Sequence, residues 1–115
     1  MISRNSPISQ IDIEHELIRL IGILEEETEA FESLAGDLAK KEALYKSNWA
    51  KEYLSAKGSI KEREAWADYT LADANFDFKI AEALLKSKRE KLLSLRTSID
   101  AMRTLNANVR VQVQH

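Results

Sequence analysis

The chain has 115 residues, of which 31% are charged, and its net charge of −2 gives no overall sign of a nucleic-acid-binding protein. It contains no cysteine, which excludes a disulfide framework and a thiolate metal site and fits a reducing compartment. Three glycines and one proline interrupt a composition dominated by Ala, Leu, Glu, Lys, Arg and Ile, which is typical of long helices rather than of a sheet.

The first part of the chain predicts a flexible N-terminal arm over residues 1–8 and then a long helix. Ser6 or Ser9 can cap the start of this helix, and acidic residues follow in its first turns. Gly36 interrupts the pattern, and we expect a weak point in one continuous helix there rather than a break. Apolar residues recur at the spacing of one helix face: Ile13, Leu17, Ile21, Leu24, Phe31, Leu34 and Leu38.

The strongest local signal is a helix end followed at once by a helix start. Lys57 and Gly58 are typical of the last turn and of the residue after it. Ser59 followed three residues later by Glu62 forms a capping box that begins a new helix. The sequence therefore predicts a tight turn at 58–59.

The second helix keeps a heptad pattern over about five repeats, which is typical of a coiled coil. We call this line of residues the seam. Lys88 is its only charged member, and Asn106 continues it as a polar residue before Val109. The domain is expected to span 9–110, with a frayed tail over 111–115. The seam consists of Ala67, Leu71, Ala74, Phe78, Ala81, Leu85, Lys88, Leu92, Leu95, Ile99 and Met102.

Charge is arranged in blocks that complement one another about the turn. Residues 10–37 hold nine acids and one base, and residues 86–115 hold seven bases and two acids. Residues 38–63 hold seven bases and three acids, and residues 64–85 hold one base and five acids. An antiparallel arrangement brings unlike blocks together and sets Glu25, Glu26, Glu27 and Glu29 near Lys86, Lys88, Arg89 and Lys91.

The expected fold is therefore all-α, an antiparallel hairpin of two long helices of coiled-coil type. A hairpin buries one stripe of each helix, yet apolar residues also lie off that stripe. We therefore expect hairpins to assemble into a helical oligomer. These additional apolar residues include Ile18, Leu20, Ile23, Leu84, Leu93 and Leu105.

No motif for chemistry occurs in the sequence. His15 has Asp12 on the same helix face, but a di-iron bundle needs repeated Glu-x-x-His elements, and a surface histidine is the better interpretation. Phosphate-binding glycine loops, nucleophile elbows and zinc-ligand spacing are all missing. We expect no catalytic residue, metal, cofactor or small-molecule substrate. The longest apolar stretch is too short for a membrane span, and the N-terminal residues lack the apolar core of a signal peptide, so a cytoplasmic location is expected.

Aromatic and basic residues occur together around the turn. Rings that stack on bases and cations that meet phosphates are the usual elements of a single-strand binder. The alternative, which the helical spacing of the rings favours, is that the rings pack the end of the hairpin and the bases lie on a solvated face. The candidate stacking residues are Tyr45, Trp49, Tyr53 and Trp66. The candidate basic residues are Lys46, Lys51, Lys57, Lys61 and Arg63.

Three arginines form a second basic group on the C-terminal helix. Arg96, Arg103 and Arg110 recur every seven residues and therefore share one stripe. The stripe can contact phosphates, neutralise the acidic first helix, or do both, and neutralisation within the chain is the favoured interpretation.

Two segments resemble a group of small helical bacteriophage proteins. The first is Tyr45-Lys46-x-x-Trp49 with Lys57-Gly58-Ser59-Ile60-Lys61-x-Arg63-x-Ala65, and the second is Leu92-x-x-Leu95-Arg96-x-x-Ile99-Asp100-Ala101-x-Arg103. Together they resemble the UvsY-type recombination mediators over about residues 40–110. The basic residues that these mediators carry after the turn fall on Phe76 and Phe78 here, so the candidate DNA contacts come from the charge pattern alone.

The resemblance implies a non-enzymatic oligomer that binds single-stranded DNA and assists recombinase loading onto strands covered by a single-strand-binding protein. Its location would then be the cytoplasm of the host cell. A second hypothesis from a different class is a protein-binding coiled coil that acts as an adaptor, scaffold or inhibitor without binding DNA. The long heptad pattern, the charge complementarity and the lack of any site are the observations that motivate this alternative.

Overall fold

The computed structural model describes residues 9–114, with side chains up to residue 112, and this part of the chain is helical with no strand. Helix α1 spans Gln10–Ser55, α2 spans Ile60–Thr70 and α3 spans Ala72–Gln114. The expected all-α class is confirmed. The arm expected over 1–8 lies outside the described residues.

Helix α1 begins at a serine cap and continues through both of its glycines. The Ser9 hydroxyl oxygen accepts a hydrogen bond from the Asp12 backbone N–H at 3.1 Å, so Ser9 rather than Ser6 is the cap. The helix passes Gly36 without a break, as expected. A glycine inside a helix costs about 1 kcal/mol, which the packing of a long amphipathic helix can offset.

The turn between α1 and α2 follows the sequence closely. Gly58 has a φ of +114°, and it is the only residue with positive φ in the described part of the chain. The Ser59 hydroxyl accepts from the Glu62 backbone N–H at 3.2 Å, while the same hydroxyl donates to the Glu62 carboxylate. Helix α1 ends at Ser55 and α2 begins at Ile60, so Gly58 and Ser59 lie in the turn, but Lys57 follows α1 rather than standing in its last turn as expected.

The expectation of one continuous second helix is wrong at Leu71. The chain ends α2 at Thr70 and begins α3 at Ala72, with φ −106° and ψ 20° at Leu71. Leu71 is bonded to a helical turn on each side, because its N–H donates to the Ala67 carbonyl at 3.0 Å and its carbonyl accepts from the Asn75 N–H at 2.9 Å. No glycine or proline marks this point, so the helical periodicity of the sequence contains no signal for it. At the other end, α3 remains helical to Gln114, past residue 110.

The chain divides into two units, each containing parts of α1 and α3. The turn unit is Phe31–Ser87, and the terminal unit comprises the described residues before and after it. Ala67 and Ala81 are buried in the turn unit. In the terminal unit the buried side chains are Ile13, Leu20, Leu92 and Ile99.

The predicted seam of the second helix matches the least exposed residues of α2 and α3. Ala67, Ala81, Leu92 and Ile99 are buried, and the other seam residues are half-buried. In α1 the pattern needs one correction. Ile21 is exposed and Leu20 is buried in its place. Leu20 continues the alternating four- and three-residue steps from Ile13 and Leu17, whereas Ile21 repeats a four-residue step and rotates away from the core.

A charged cluster occupies the seam of the terminal unit. The Lys88 ammonium donates to the Glu27 carboxylate at 2.6 Å, and Lys91 lies 3.1 Å from the other oxygen of the same carboxylate. Hydrogen bonds from Lys88 and then Lys91 lower the pKa of Glu27 below its ordinary value. The expected proximity of these acidic and basic blocks is thus confirmed for Glu27.

Candidate functional site

The aromatic residues around the turn stack mainly on one another. The rings of Tyr45 and Phe78 lie 6.0 Å apart and those of Trp49 and Tyr53 lie 5.4 Å apart, each pair with an interplanar angle of 13°. All four residues are half-buried. Offset stacking of this kind stabilises the fold by about 0.5–1.5 kcal/mol per pair beyond the area buried. Three of the four candidate stacking residues therefore already have a protein ring as a neighbour.

Polar contacts complete this aromatic cluster. The Trp49 indole N–H donates to Asp68 at 2.9 Å, and the Trp66 indole N–H donates to Glu52 at 3.0 Å. These acceptors were not identified from the sequence. The sequence signal for these two hydrogen bonds is a pair of tryptophans that an antiparallel turn places opposite Asp and Glu. An indole N–H usually donates to an acceptor within reach.

Arg63 belongs to the cluster rather than to the solvated surface. Its guanidinium donates to the Tyr53 carbonyl at 3.1 Å and lies 4.6 Å from the centroid of the Tyr53 ring. The cation and the ring are thus paired within the chain. Arg63 is consequently a structural residue of the turn unit in addition to a candidate DNA contact.

Trp66 differs from the other three candidate rings because 49% of its surface is exposed. It lines an open groove beside the turn together with Lys57, Glu52 and Glu62. A ring and a cation therefore meet on one accessible surface, next to two carboxylates. Tyr69, which sequence reasoning did not select for the site, is also strongly exposed.

The lysines around the turn differ in their partners. Lys46 donates to Glu42 at 2.8 Å, and this hydrogen bond raises the pKa of Lys46. Lys51, Lys57 and Lys61 are exposed and have no hydrogen bond or ion pair to any residue that the structure describes. Three of the predicted basic residues are thus available to an anionic partner.

The arginine stripe lies on α3 in the terminal unit. Arg96, Arg103 and Arg110 are all exposed. The nearest acid to Arg103 is Asp100 at 3.9 Å on the same helix, and Arg96 and Arg110 form no ion pair with described residues. In contrast, Arg19 of α1 pairs with Glu16, which lowers the pKa of Glu16. The interpretation favoured from sequence, that the first helix neutralises this stripe, has no supporting contact in the described part of the chain.

The candidate residues therefore form two groups in separate units. The bases Lys46, Lys51, Lys57 and Lys61 and all candidate rings belong to the turn unit, as does Arg63, whereas the arginine stripe belongs to the terminal unit. Within the described residues, no group of His, Cys, Asp and Glu side chains could hold a metal ion, and no helix is long and apolar enough to cross a membrane. Comparison with protein-family models, curated proteins and solved structures finds no match for the chain.

Proposed function

We propose that this chain is a non-enzymatic, cytoplasmic protein of the bacteriophage recombination-mediator type, which binds single-stranded DNA as an antiparallel helical hairpin and acts as a homo-oligomer. As part of the same proposal, the chain assists a recombinase in loading onto strands that are covered by a single-strand-binding protein. Exposed bases without acidic partners are the observation that carries the DNA-binding part.

The order of contacts in the turn unit supports the antiparallel hairpin. Tyr45 contacts Phe78, Trp49 contacts Asp68, and further along α1 Tyr53 contacts Arg63. As the position in α1 advances towards the turn, the position of its partner moves back towards the turn. This is the order that two antiparallel segments produce.

The unpaired bases support the choice of an anionic partner. Exposed cations that hold no counter-charge within the chain can be neutralised by phosphates, with release of the counterions of the strand. Arg96 and Arg110 meet this condition on α3, and Lys51, Lys57 and Lys61 meet it around the turn. The net charge of −2 is no obstacle, because binding depends on the local arrangement of charge.

The groove beside the turn is the reason for proposing single-stranded rather than double-stranded DNA. Trp66 offers an accessible ring face and Lys57 a cation on the same surface. Unpaired bases can stack on such a ring, whereas the bases of a duplex are already stacked. Trp66 is accordingly the most accessible of the four candidate stacking residues in a single copy of the chain.

The test is titration of a labelled single-stranded oligonucleotide with the purified chain, followed by fluorescence anisotropy at several salt concentrations. The triple variant Arg96→Gln, Arg103→Gln, Arg110→Gln is expected to bind more weakly. Each lost phosphate contact lowers the slope of log affinity against log salt by about 0.7, so the triple variant should lower it by about 2. Arg19→Gln is the matched control, because Arg19 already pairs with Glu16.

Absence of binding at low salt, where counterion release favours it most, would contradict the proposal. A defined oligomer that ignores DNA would leave the second hypothesis, a protein-binding coiled coil. Where DNA binding is observed, the mediator step is tested by adding the chain to a phage recombinase and strands covered by single-strand-binding protein. Stimulation of filament assembly supports that step, and unchanged assembly rejects it.

A further inference from the structure

Two exposed stripes in the turn unit have the same spacing and opposite charge. The first, on α1, contains Leu44, Lys51 and Leu54, with exposed fractions of 63% for Leu44 and 73% for Leu54. We call it the leucine–lysine stripe. Its members are separated by seven and then three residues, so they share one helix face. Lys51 makes no ion pair with any described residue.

The second stripe contains Trp66, Asp73 and Phe76, again separated by seven and then three residues. We call it the aromatic–aspartate stripe. Phe76 is 65% exposed and Trp66 is 49% exposed, and Asp73 forms no ion pair with described residues. It crosses from α2 to α3, and Leu71 between them is hydrogen-bonded to one helical turn on each side.

These stripes do not satisfy one another within the chain. The opposite side of α1 already contacts α2 and α3 through Trp49, Glu52 and Tyr53, and both stripes remain exposed. Exposed apolar side chains at regular spacing on one helix face are the usual mark of a further helix contact.

We propose that the leucine–lysine stripe of one copy docks on the aromatic–aspartate stripe of a second copy. This inference rests on the homo-oligomer of the proposed function and identifies its contact surface. Lys51 and Trp66 belong to that surface in the assembled protein, so Lys57, Lys61, Arg96 and Arg110 are the unpaired bases left for DNA there. With α1 of one copy parallel to α2 and α3 of the other, Leu44 meets Trp66, Lys51 meets Asp73 and Leu54 meets Phe76. Repetition of this contact from copy to copy builds a homo-oligomer.

Charge complementarity is the reason for choosing a second copy as the occupant. Each stripe has one unpaired charge between two exposed apolar residues, and the two charges are opposite. Residues 64–85, which contain the aromatic–aspartate stripe, hold five acids and one base, whereas residues 38–63 hold seven bases and three acids. The chain therefore contains both halves of one complementary surface. Complementary charges fix the partner and the register of such a contact.

The experiment measures mass in solution by light scattering across a range of protein concentrations, without DNA. Lys51→Glu sets acid against acid in the homotypic contact, and Asp73→Lys sets base against base. The dissociation constant of each single variant is expected to rise roughly tenfold or more, because like charges then face each other at every contact between copies. Circular dichroism verifies that helix content is unchanged.

Mixing provides the decisive step. In an equimolar mixture of Lys51→Glu and Asp73→Lys, a contact between two unlike copies either retains its original charges or has both of them exchanged. Assembly should therefore return in the mixture, and also in the double variant. An intramolecular role for either residue predicts no recovery on mixing.

Two controls separate the charge effect from the apolar effect. Lys57→Glu makes the same charge change outside the stripe and should leave the mass unaltered. Phe76→Ser should weaken assembly, whereas Leu93→Ser, at a residue that is also exposed but lies in the terminal unit, should not.

A monomeric wild-type chain overturns the inference, as do single variants that assemble normally or a mixture that fails to recover. Titration of the same proteins with labelled single strands keeps the two proposals apart. Wild-type chains that assemble through these stripes but ignore DNA reject DNA binding alone. Monomeric wild-type chains that bind DNA reject only the docking surface.

Discussion

At the scale of single residues, Glu27 and Lys88 show how a charge can occupy a helix seam. Glu27 accepts from Lys88 at 2.6 Å and lies 3.1 Å from Lys91, and its side chain and that of Lys88 are largely covered. A covered charge is costly unless it is paired, so a partner is required once Lys88 enters the seam. Alignments of α1 with α3 that separate these residues are disfavoured by the same reasoning.

The lowered pKa of Glu27 predicts a specific acid sensitivity. Since the pKa is lower in the folded chain than the value of about 4.3 for a free glutamate, the pairing stabilises the fold fully above that value. The contribution should disappear as the pH falls through the lowered pKa. Melting temperatures measured from pH 7 down to pH 2 should therefore fall less steeply for Glu27→Gln than for the wild type. Glu29→Gln, at an exposed acid two residues away, is the control and should follow the wild-type profile.

At the scale of secondary-structure elements, the glycines fall into two kinds. Gly58 has a φ of +114°, which strains any other residue, whereas Gly22 and Gly36 lie inside α1 with open space where a Cβ would be. The same substitution should therefore have opposite effects at Gly58 and Gly36.

Gly58→Ala is expected to destabilise the chain by about 1–3 kcal/mol because of the backbone strain. A Cβ there would also lie 2.5 Å from the flexible Glu62 carboxylate, which can move aside. Gly36→Ala is expected to stabilise it by about 0.5–1 kcal/mol, because alanine restricts the unfolded chain and favours the helix. Urea denaturation followed by circular dichroism measures both. Equal signs for the two variants would contradict the assigned turn.

Neighbouring leucines in α3 test which face of the helix is buried. Leu92 is 6% exposed and Leu93 is 55% exposed, although the two residues are adjacent. Leu92→Ala should cost about 2–5 kcal/mol, whereas Leu93→Ala should stay within about 0.5 kcal/mol. Chemical denaturation of both variants gives the comparison. A larger loss at Leu93 would mean that the seam is assigned to the wrong face.

At the scale of the whole molecule, the apolar residues outside the core are the reason to expect self-association. Large side chains such as Leu44, Leu54, Tyr69 and Phe76 remain exposed, while only six apolar residues are buried in the described part of the chain. Burying further apolar surface against a second copy would stabilise the fold by about 25 cal/mol per Å².

Self-association predicts that stability depends on protein concentration. The melting temperature should rise with concentration in the wild type, because association removes folded monomer from the unfolding equilibrium. In Lys51→Glu this dependence should be much reduced at the same concentrations. Differential scanning calorimetry over a hundredfold range of concentration makes the measurement. A melting temperature independent of concentration in the wild type would argue against an oligomer that stabilises the fold.

Much of the fold was predictable because its signals are local. The Gly58 turn, the Ser59 cap and the alternating seam of α2 and α3 each depend on residues within a few positions of one another. The break at Leu71 was not predictable, because no helix breaker stands there. The sequence did not show that Leu20 rather than Ile21 is buried, because the two apolar residues are adjacent and either one fits the apolar face of the helix.

The candidate site was also predictable from the sequence only in part. From its sequence alone, the chain is determined to be helical, to turn at Gly58 and to cluster its rings and bases near that turn, because periodicity, capping and composition are written in neighbouring residues. Only the tertiary structure decided that Tyr45, Trp49 and Tyr53 stack on protein rings, that Arg63 pairs with Tyr53, and that Trp66 stays accessible. Those outcomes depend on which side chains meet across the turn, and that is a property of packing between segments distant in the chain.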